Sequence, residues 1–290
     1  MSLLQVQKFR GKMGDTMADK NYLHTAYANS ADGTDRFTTV YPNLNLLKNT
    51  RTLTATSNAS WWNTLFSSSQ IYDSAIKSKT GVSAMTLSFD VFVPLNAIVG
   101  SAISIQLKGQ SSQAHGIVET NDYNTIVGQY WHDIEQSDLG KTIRVSFPIQ
   151  IDTKYKTFDS ALADTDSITI RQMKDTSGLV YSKLKIEQCS FATPYMPSAN
   201  EVTINDYPKY VGTYVDTNPT SSTEPSKYDW DEMKYRVYLD GVPVGGSKLL
   251  SFDLENLKAG TSYNVQVSQI NGNVESDKSE SVAFKTTLPK

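Results

Sequence analysis

At 290 residues the chain is long enough for two domains and a small third. Charged residues make up 20% of it and the formal net charge is only -3, so no basic field exists to draw nucleic acid or an anionic membrane, and neither is an expected partner. Cys189 is the only cysteine, which excludes an internal disulfide and a thiolate-rich metal site; a small apolar residue near a strand end is its plainer reading.

Abundant Tyr, Ser, Thr and Asn, with turn-flanked β-branched segments recurring along the chain, favour an all-β protein. No run of about 18 apolar residues occurs and the N-terminus lacks the charged, apolar, small order of a signal peptide, so neither a membrane span nor an export signal is expected.

Residues 1–20 carry Lys8, Arg10, Lys12 and Lys20 among polar residues, with Gly11 and Gly14 breaking any helical period. They read as a flexible or partner-docking arm, with 2–9 the best docking piece and plain disorder the alternative. Residues 21–43 begin with a strand pattern, Tyr22, His24, Ala26 and Ala28 against Leu23, Thr25 and Tyr27, and continue into an Ala31-Asp32-Gly33 turn.

Residues 44–197 read as a β-sandwich with candidate strands at 51–56, 85–93, 102–107, 115–119, 142–151, 167–173 and 179–187. Gly81, Pro94, Gly100, Gly109, Gly140 and Gly178 supply turns between them. Leu87, Phe89, Val91 and Val93 alternate onto one core face, as do Ile143, Val145, Phe147 and Ile149. The last strand sets Leu184 and Ile186 against Lys183, Lys185 and Glu187, then breaks at Pro194 and Pro197 into an exit linker.

Residues 198–290 read as a linker and a further β-module. Its pattern is a strand at 211–215, a Pro/Ser/Thr loop at 218–227, and a hairpin at 234–244 around Asp240-Gly241. A turn at 271–278 and a last strand at 282–286 follow. Trp230 is expected to pack beneath this module's sheet, and His24 to be a strand residue.

Glycan hydrolysis needs two carboxylates across a cleft, and acyl transfer needs a Ser or Cys beside a His. Acidic residues are scattered over 44–197 without a pair that can be set face to face, and no Walker loop or dinucleotide fingerprint occurs, so the chain reads as no enzyme. Asp122, Asp164 and Asp166 fall in expected loops and suit calcium, but the spaced loop with a closing Glu is absent and His115 and His132 lack a short metal spacing. Any metal site stays unknown on these residues, and no cofactor is expected.

Aromatic residues say more. Sugars offer apolar C–H faces to flat rings and hydroxyls to short polar side chains. One cluster is Asn58 to Asn63, where Trp61 and Trp62 in an extended segment would point to opposite faces, one into the core and one out. The other runs through Tyr123 and Asn124 to Gln129, Tyr130, Trp131, His132 and Asp133, and reads as loops. Core packing is the alternative for each ring taken singly.

The motif Lys183-x-Lys185-Ile186-Glu187, followed by Ala192-Thr193-x-Tyr195-x-Pro197-Ser198 and an acidic residue, resembles the end of the jelly-roll, carbohydrate-binding-module-like domains in tail and baseplate proteins of phages infecting lactococci and streptococci. The run from His24 to Gly33 resembles a segment repeated in those proteins. Tyr207 to Tyr214 with Ser221 to Trp230 resembles the segment that normally follows it closely, so 44–197 looks like an insertion. Residues 252–267 resemble the middle of a fibronectin type III domain, whose tyrosine corner is matched by Leu257, Gly260 and Tyr263. The missing first strands would be supplied by 22–29 and 211–215 from either side of the insertion.

The resemblance implies a baseplate or tail accessory protein of a lactococcal or streptococcal siphophage. Its fold would be an all-β jelly-roll β-sandwich inserted into, or followed by, a fibronectin type III-like sandwich. It would sit at the virion tail tip or baseplate, made in the host cytoplasm, which suits a chain without disulfides. Its partners would be host cell-wall or capsular saccharide and other baseplate or tail proteins, so that it assists host adhesion. Trp61, Trp62 and Trp131 would stack on sugars, and Asn63, Asn124, Gln129, His132 and Asp133 would bond hydroxyls beside Tyr123 and Tyr130. The resemblance also admits a structural calcium. A structural spacer that binds no glycan is the alternative, and a glycan-degrading enzyme a more distant one.

Overall fold

The computed structural model describes residues 21–111, 124–174 and 176–287. The expected arm at 1–20, the strand expected at 115–119, Asp122 and Tyr123 lie outside them. The chain folds as two units, an inner one, Leu44–Val202, and an outer one made from the segments on either side.

Strand β1, Tyr22–Ala28, opens the outer unit. The inner unit follows with β2 (Ala55–Thr56), β3 (Thr64–Phe66), helix α1 (Ser68–Ile71), β4 (Met85–Phe92), β5 (Ala102–Gln110) and β6 (Asn124–Asp133). It ends with β7 (Thr142–Ile151), helix α2 (Phe158–Ala163), β8 (Ser167–Gln172) and β9 (Val180–Glu187). Its strands pair in the order β2-β9-β4-β7-β6-β5-β8-β3. β7 lies along all of β4 but meets β6 only at Gln150 and Ile151. The ladder turns there, so β2-β9-β4-β7 and β6-β5-β8-β3 form the two layers of a jelly-roll-like sandwich. Leu87, Phe89 and Val91 from one layer and Ile103, Ile105, Leu107, Ile168 and Ile170 from the other fill the space between.

Two expectations change here. Residues 124–133, read as loop, form a ten-residue strand. Their polar residues sit mainly at the outward positions, while Ile126, Gly128 and Tyr130 alternate inward. A side chain at position 128 would strike the Phe147 ring at 2.5 Å, so the glycine marks a close approach within the strand rather than a loop. Lys185 and Glu187, read as the solvent face of β9, are fully buried. They pair at 3.1 Å, and Glu187 accepts the Thr193 N–H at 2.8 Å and the Thr193 hydroxyl at 2.6 Å, because the exit segment folds back over them. Asn45 fastens the entry end in the same region, donating to the Leu184 carbonyl and accepting the Leu47 and Ile186 N–H groups.

In the outer unit β1 runs antiparallel to β10 (Tyr210–Asp216), from Tyr22 opposite Asp216 to Ala28 opposite Tyr210. Strands from both sides of the inner unit thus share one ladder. β11 (Asp229–Glu232) completes this sheet. A second sheet holds β12 (Tyr235–Leu239), β13 (Val242–Ser247), β14 (Ser262–Asn271), β15 (Val274–Glu275) and β16 (Val282–Lys285). Asp240 and Gly241 both take positive φ, the geometry that closes a two-residue hairpin between β12 and β13. In the segment 252–267, regular strand pairing begins at Ser262. Lys258 N–H donates to the Tyr263 hydroxyl at 2.9 Å, just upstream of that start. Trp230 packs against Tyr228 and Phe37 and donates to the Pro225 carbonyl at 2.9 Å. Its ring occupies the place a Cβ at Gly33 would need. His24 is buried in β1, bonded to Asp216 at 2.8 Å and Ser221 at 3.1 Å and stacked on Tyr214.

Candidate functional site

The outward face of the β6-β5-β8-β3 layer joins residues from both aromatic clusters. Register sets Gln129 opposite Gln106, Gln106 opposite Arg171, and Arg171 opposite Thr64, a row across four strands. Arg171 Nε donates to Gln106 Oε1 at 2.7 Å, which puts both side chains on one face. Trp131 lies two residues beyond Gln129 on β6 and so shares that face by alternation. At the other side of the row, the Arg171 guanidinium lies 4.6 Å from the centre of the Trp62 ring. β6 and β8 are two strand spacings apart, about 10 Å. Trp131 on β6 and Trp62 beside Arg171 therefore lie toward opposite sides of this polar strip.

Local structure holds each ring. Trp131 donates its indole N–H to Asp133 at 2.9 Å, and the Lys174 ammonium sits 5.5 Å from the ring centre. Lys174 is itself tied to the strip, its N–H donating to Ser104 Oγ at 3.0 Å, and Ser104 faces Trp131 across the ladder. Gln172 binds the carbonyls of Asn58 and Ser60 at 2.6 and 2.8 Å, and its N–H donates to the Asn63 carbonyl at 2.9 Å, which anchors the turn carrying Trp61 and Trp62. Partial burial lowers the pKa of Arg171, which remains charged at neutral pH. Neither Arg171 nor Lys174 has a carboxylate ion-pair partner among the described residues.

Trp62 departs from expectation. The segment is a turn rather than extended, Trp62 has φ 59, and both neighbours face solvent: Trp61 is 61% and Trp62 49% exposed. Neither plugs the core. Left-handed backbone at a bulky residue costs of order 1–3 kcal/mol and persists where the surroundings enforce it. Trp131 is 52% exposed.

Other expected site residues fall elsewhere. Tyr130 packs inward against Phe89 and Phe147. His132 also lies off the Trp131 face and bonds Asp138 at 2.9 Å. Asn124 begins β6, about 17 Å along the strand from Gln129, and its side-chain oxygen is buried without a partner among the described residues. Asn63 contributes its backbone carbonyl to the Gln172 anchor. Tyr123 is outside the described residues. Gln106, Arg171 and Lys174 were missed in the sequence because they lie on different strands, and no local spacing joins them. Among the described residues no group of three or more His, Cys, Asp or Glu is arranged to hold a metal ion. Asp164 is engaged by Ser111 at 3.0 Å and by the Tyr155 hydroxyl, and Asp166 by Lys77.

Residues 41–198 match a family model described as a domain of unknown function, DUF7013, and residues 208–266 match the minor structural protein 5-like, C-terminal domain. A chain in the solved tripod (BppUct-A-L) from the baseplate of bacteriophage Tuc2009 is 48% identical, with a TM-score of 0.71. The match covers 94% of this chain and 100% of that one. The chain belongs to this siphophage baseplate family. None of the curated proteins compared with it matches. The baseplate chain is therefore a virion protein of the tail tip, working among other baseplate and tail proteins; the first matched segment nearly coincides with its inner unit and the second lies within its outer unit.

Proposed function

We propose that the inner unit binds saccharide of the host cell surface on its β6-β5-β8-β3 face and thereby assists adhesion, while the outer unit fastens it to neighbouring baseplate proteins. The observation that carries this reading is the pair of exposed indoles, Trp62 and Trp131, flanking the Gln129-Gln106-Arg171 strip. Rings of this kind stack on the C–H faces of sugars, and the amides and guanidinium bond hydroxyls between them. A shallow face binds weakly, but several copies on one virion raise avidity by about 10²–10⁴ where they engage together.

The test is binding of the fluorescently labelled chain to host cells and to purified cell-wall polysaccharide, alongside Trp62→Ala and Trp131→Ala. Each substitution should weaken binding at least tenfold, about 1.4 kcal/mol, with the thermal transition unchanged. Native-like binding by both variants would reject the site.

A second reading, the structural spacer, has its own support. Leu95, Ile98 and Val99 are exposed on the loop between β4 and β5, at the end of the sandwich where Trp131 lies. Clustered exposed apolar residues are usual beneath a protein partner. That reading expects no saccharide binding even from artificially multimerised chain.

A further inference from the structure

Among the described residues, no strand lies beyond β1 in the outer unit's first sheet. Tyr27 exchanges both main-chain hydrogen bonds with Thr38, at 2.8 and 3.0 Å, on the side away from β10. Alternation turns the N–H and C=O groups of Leu23 and Thr25 to that same side. Among the described residues no strand pairs with them there. Facing this edge is the segment 250–256. It alternates as a strand does, with Phe252 and Leu254 half-buried and Ser251, Asp253 and Glu255 exposed, yet its main chain makes no hydrogen bond with any described residue.

Between the two runs a groove of about 510 Å³, lined by Leu23, Thr25, Leu249, Phe252 and Leu254 among others. Its base is closed. The Tyr27 hydroxyl and the Phe252 ring both close on Gly245, where an added Cβ would meet them at 3.0 and 2.3 Å. Leu23 and Leu249 are exposed at its rim.

We propose that this groove receives an extended segment of another baseplate protein, which adds to β1 as the missing strand of the β11-β10-β1 sheet. Main-chain donors and acceptors on one edge are satisfied as a set only by another extended main chain, the logic of strand addition. The groove's half-apolar wall selects a segment whose alternate residues are apolar, directed toward Phe252 and Leu254. The outer unit is thus an incomplete sandwich that its partner completes, an inference that does not depend on saccharide binding by the inner unit.

The test uses the full chain and the other baseplate proteins of the same phage, produced singly. Thr25→Pro removes one outward N–H while leaving the residues that bond β10 in place, and proline is tolerated on such an edge; Thr25→Val is the control. The partner should bind the proline variant at least tenfold more weakly and the valine variant unchanged. In the unsubstituted chain, hydrogen exchange at Leu23, Thr25 and 251–255 should be fast alone and slow in the complex, a readout that holds even where Thr25→Pro folds poorly. Protection of these amides in the isolated chain would mean that the chain itself, or a second copy, fills the groove, and would overturn the proposal. So would a complex that leaves them unprotected, or no binding by any baseplate protein.

Discussion

The inner unit packs a continuous apolar cluster that runs from Leu47 through Phe89 and Ile105 to Ile186, whereas among the described residues the outer unit's apolar cluster is smaller, made of Tyr27, Tyr41, Val211, Met233 and Ile270. Much of the outer interior is polar instead. Arg236 is buried there, donating from Nε to the Tyr41 hydroxyl at 2.9 Å, lying 4.2 Å from the Tyr207 ring centre and pairing with Glu275. Glu275 also accepts from the Tyr238 hydroxyl at 2.5 Å and from Ser268. A unit with apolar cohesion to spare can leave three indoles in water without loss of packing. A unit held by a charged network, with a sheet edge unpaired among its described residues, gains most from a partner.

Breaking the network gives the largest expected effect. Arg236→Ala leaves Glu275 partly buried without its cation and strips a donor from Tyr41, and removal of one partner from a buried pair costs about 3–5 kcal/mol. Hydrogen exchange across a urea titration should show β12 and β14 opening early while β4, β5 and β9 keep native protection. Simultaneous loss of both units would refute the separation of the two interiors.

The converse substitution sharpens the comparison. Ile105 is fully buried at the centre of the inner cluster, so Ile105→Ala should destabilise that unit by about 2–5 kcal/mol. Protection in β12 and β14 should stay native. Saccharide binding should persist below the new unfolding transition, because Trp62 and Trp131 are fixed by hydrogen bonds and cation contacts rather than by the Ile105 side chain.

The same difference governs how much could be read in advance. The inner core was legible because period-two alternation of Leu87, Phe89 and Val91, and of Val145, Phe147 and Ile149, carries burial directly in the sequence. β6 was not, since its Gly128 and polar residues imitate a loop until Phe147 is found against the glycine. Two aromatic clusters were visible as composition. Their union on one face was not, because it depends on β5 and β8 supplying Gln106 and Arg171 between them, a register written in no single segment. Lys185 and Glu187 misled for the opposite reason: charge signals solvent unless a returning segment, here through Thr193, satisfies it. The outer unit's polar interior was hidden likewise, since nothing local tells a buried Arg236 from an exposed one.

The smallest expected effect probes an acid-sensitive support near the candidate site. The Glu135 N–H, followed by His132 at 2.9 Å, holds the Asp138 carboxyl below its ordinary 3.8. Because the folded pKa lies below the unfolded one, the stabilisation is complete above the unfolded value and disappears as pH falls from there through the folded value. It should amount to about 1 kcal/mol, the worth of an ordinary helix cap. The denaturant midpoint of the inner unit, followed from pH 6 to acid, should therefore fall less in Asp138→Asn than in the native chain, the two curves converging once Asp138 is protonated. Equal slopes in the two proteins would mean that the Asp138 clasp adds nothing to a unit already secured by its apolar core.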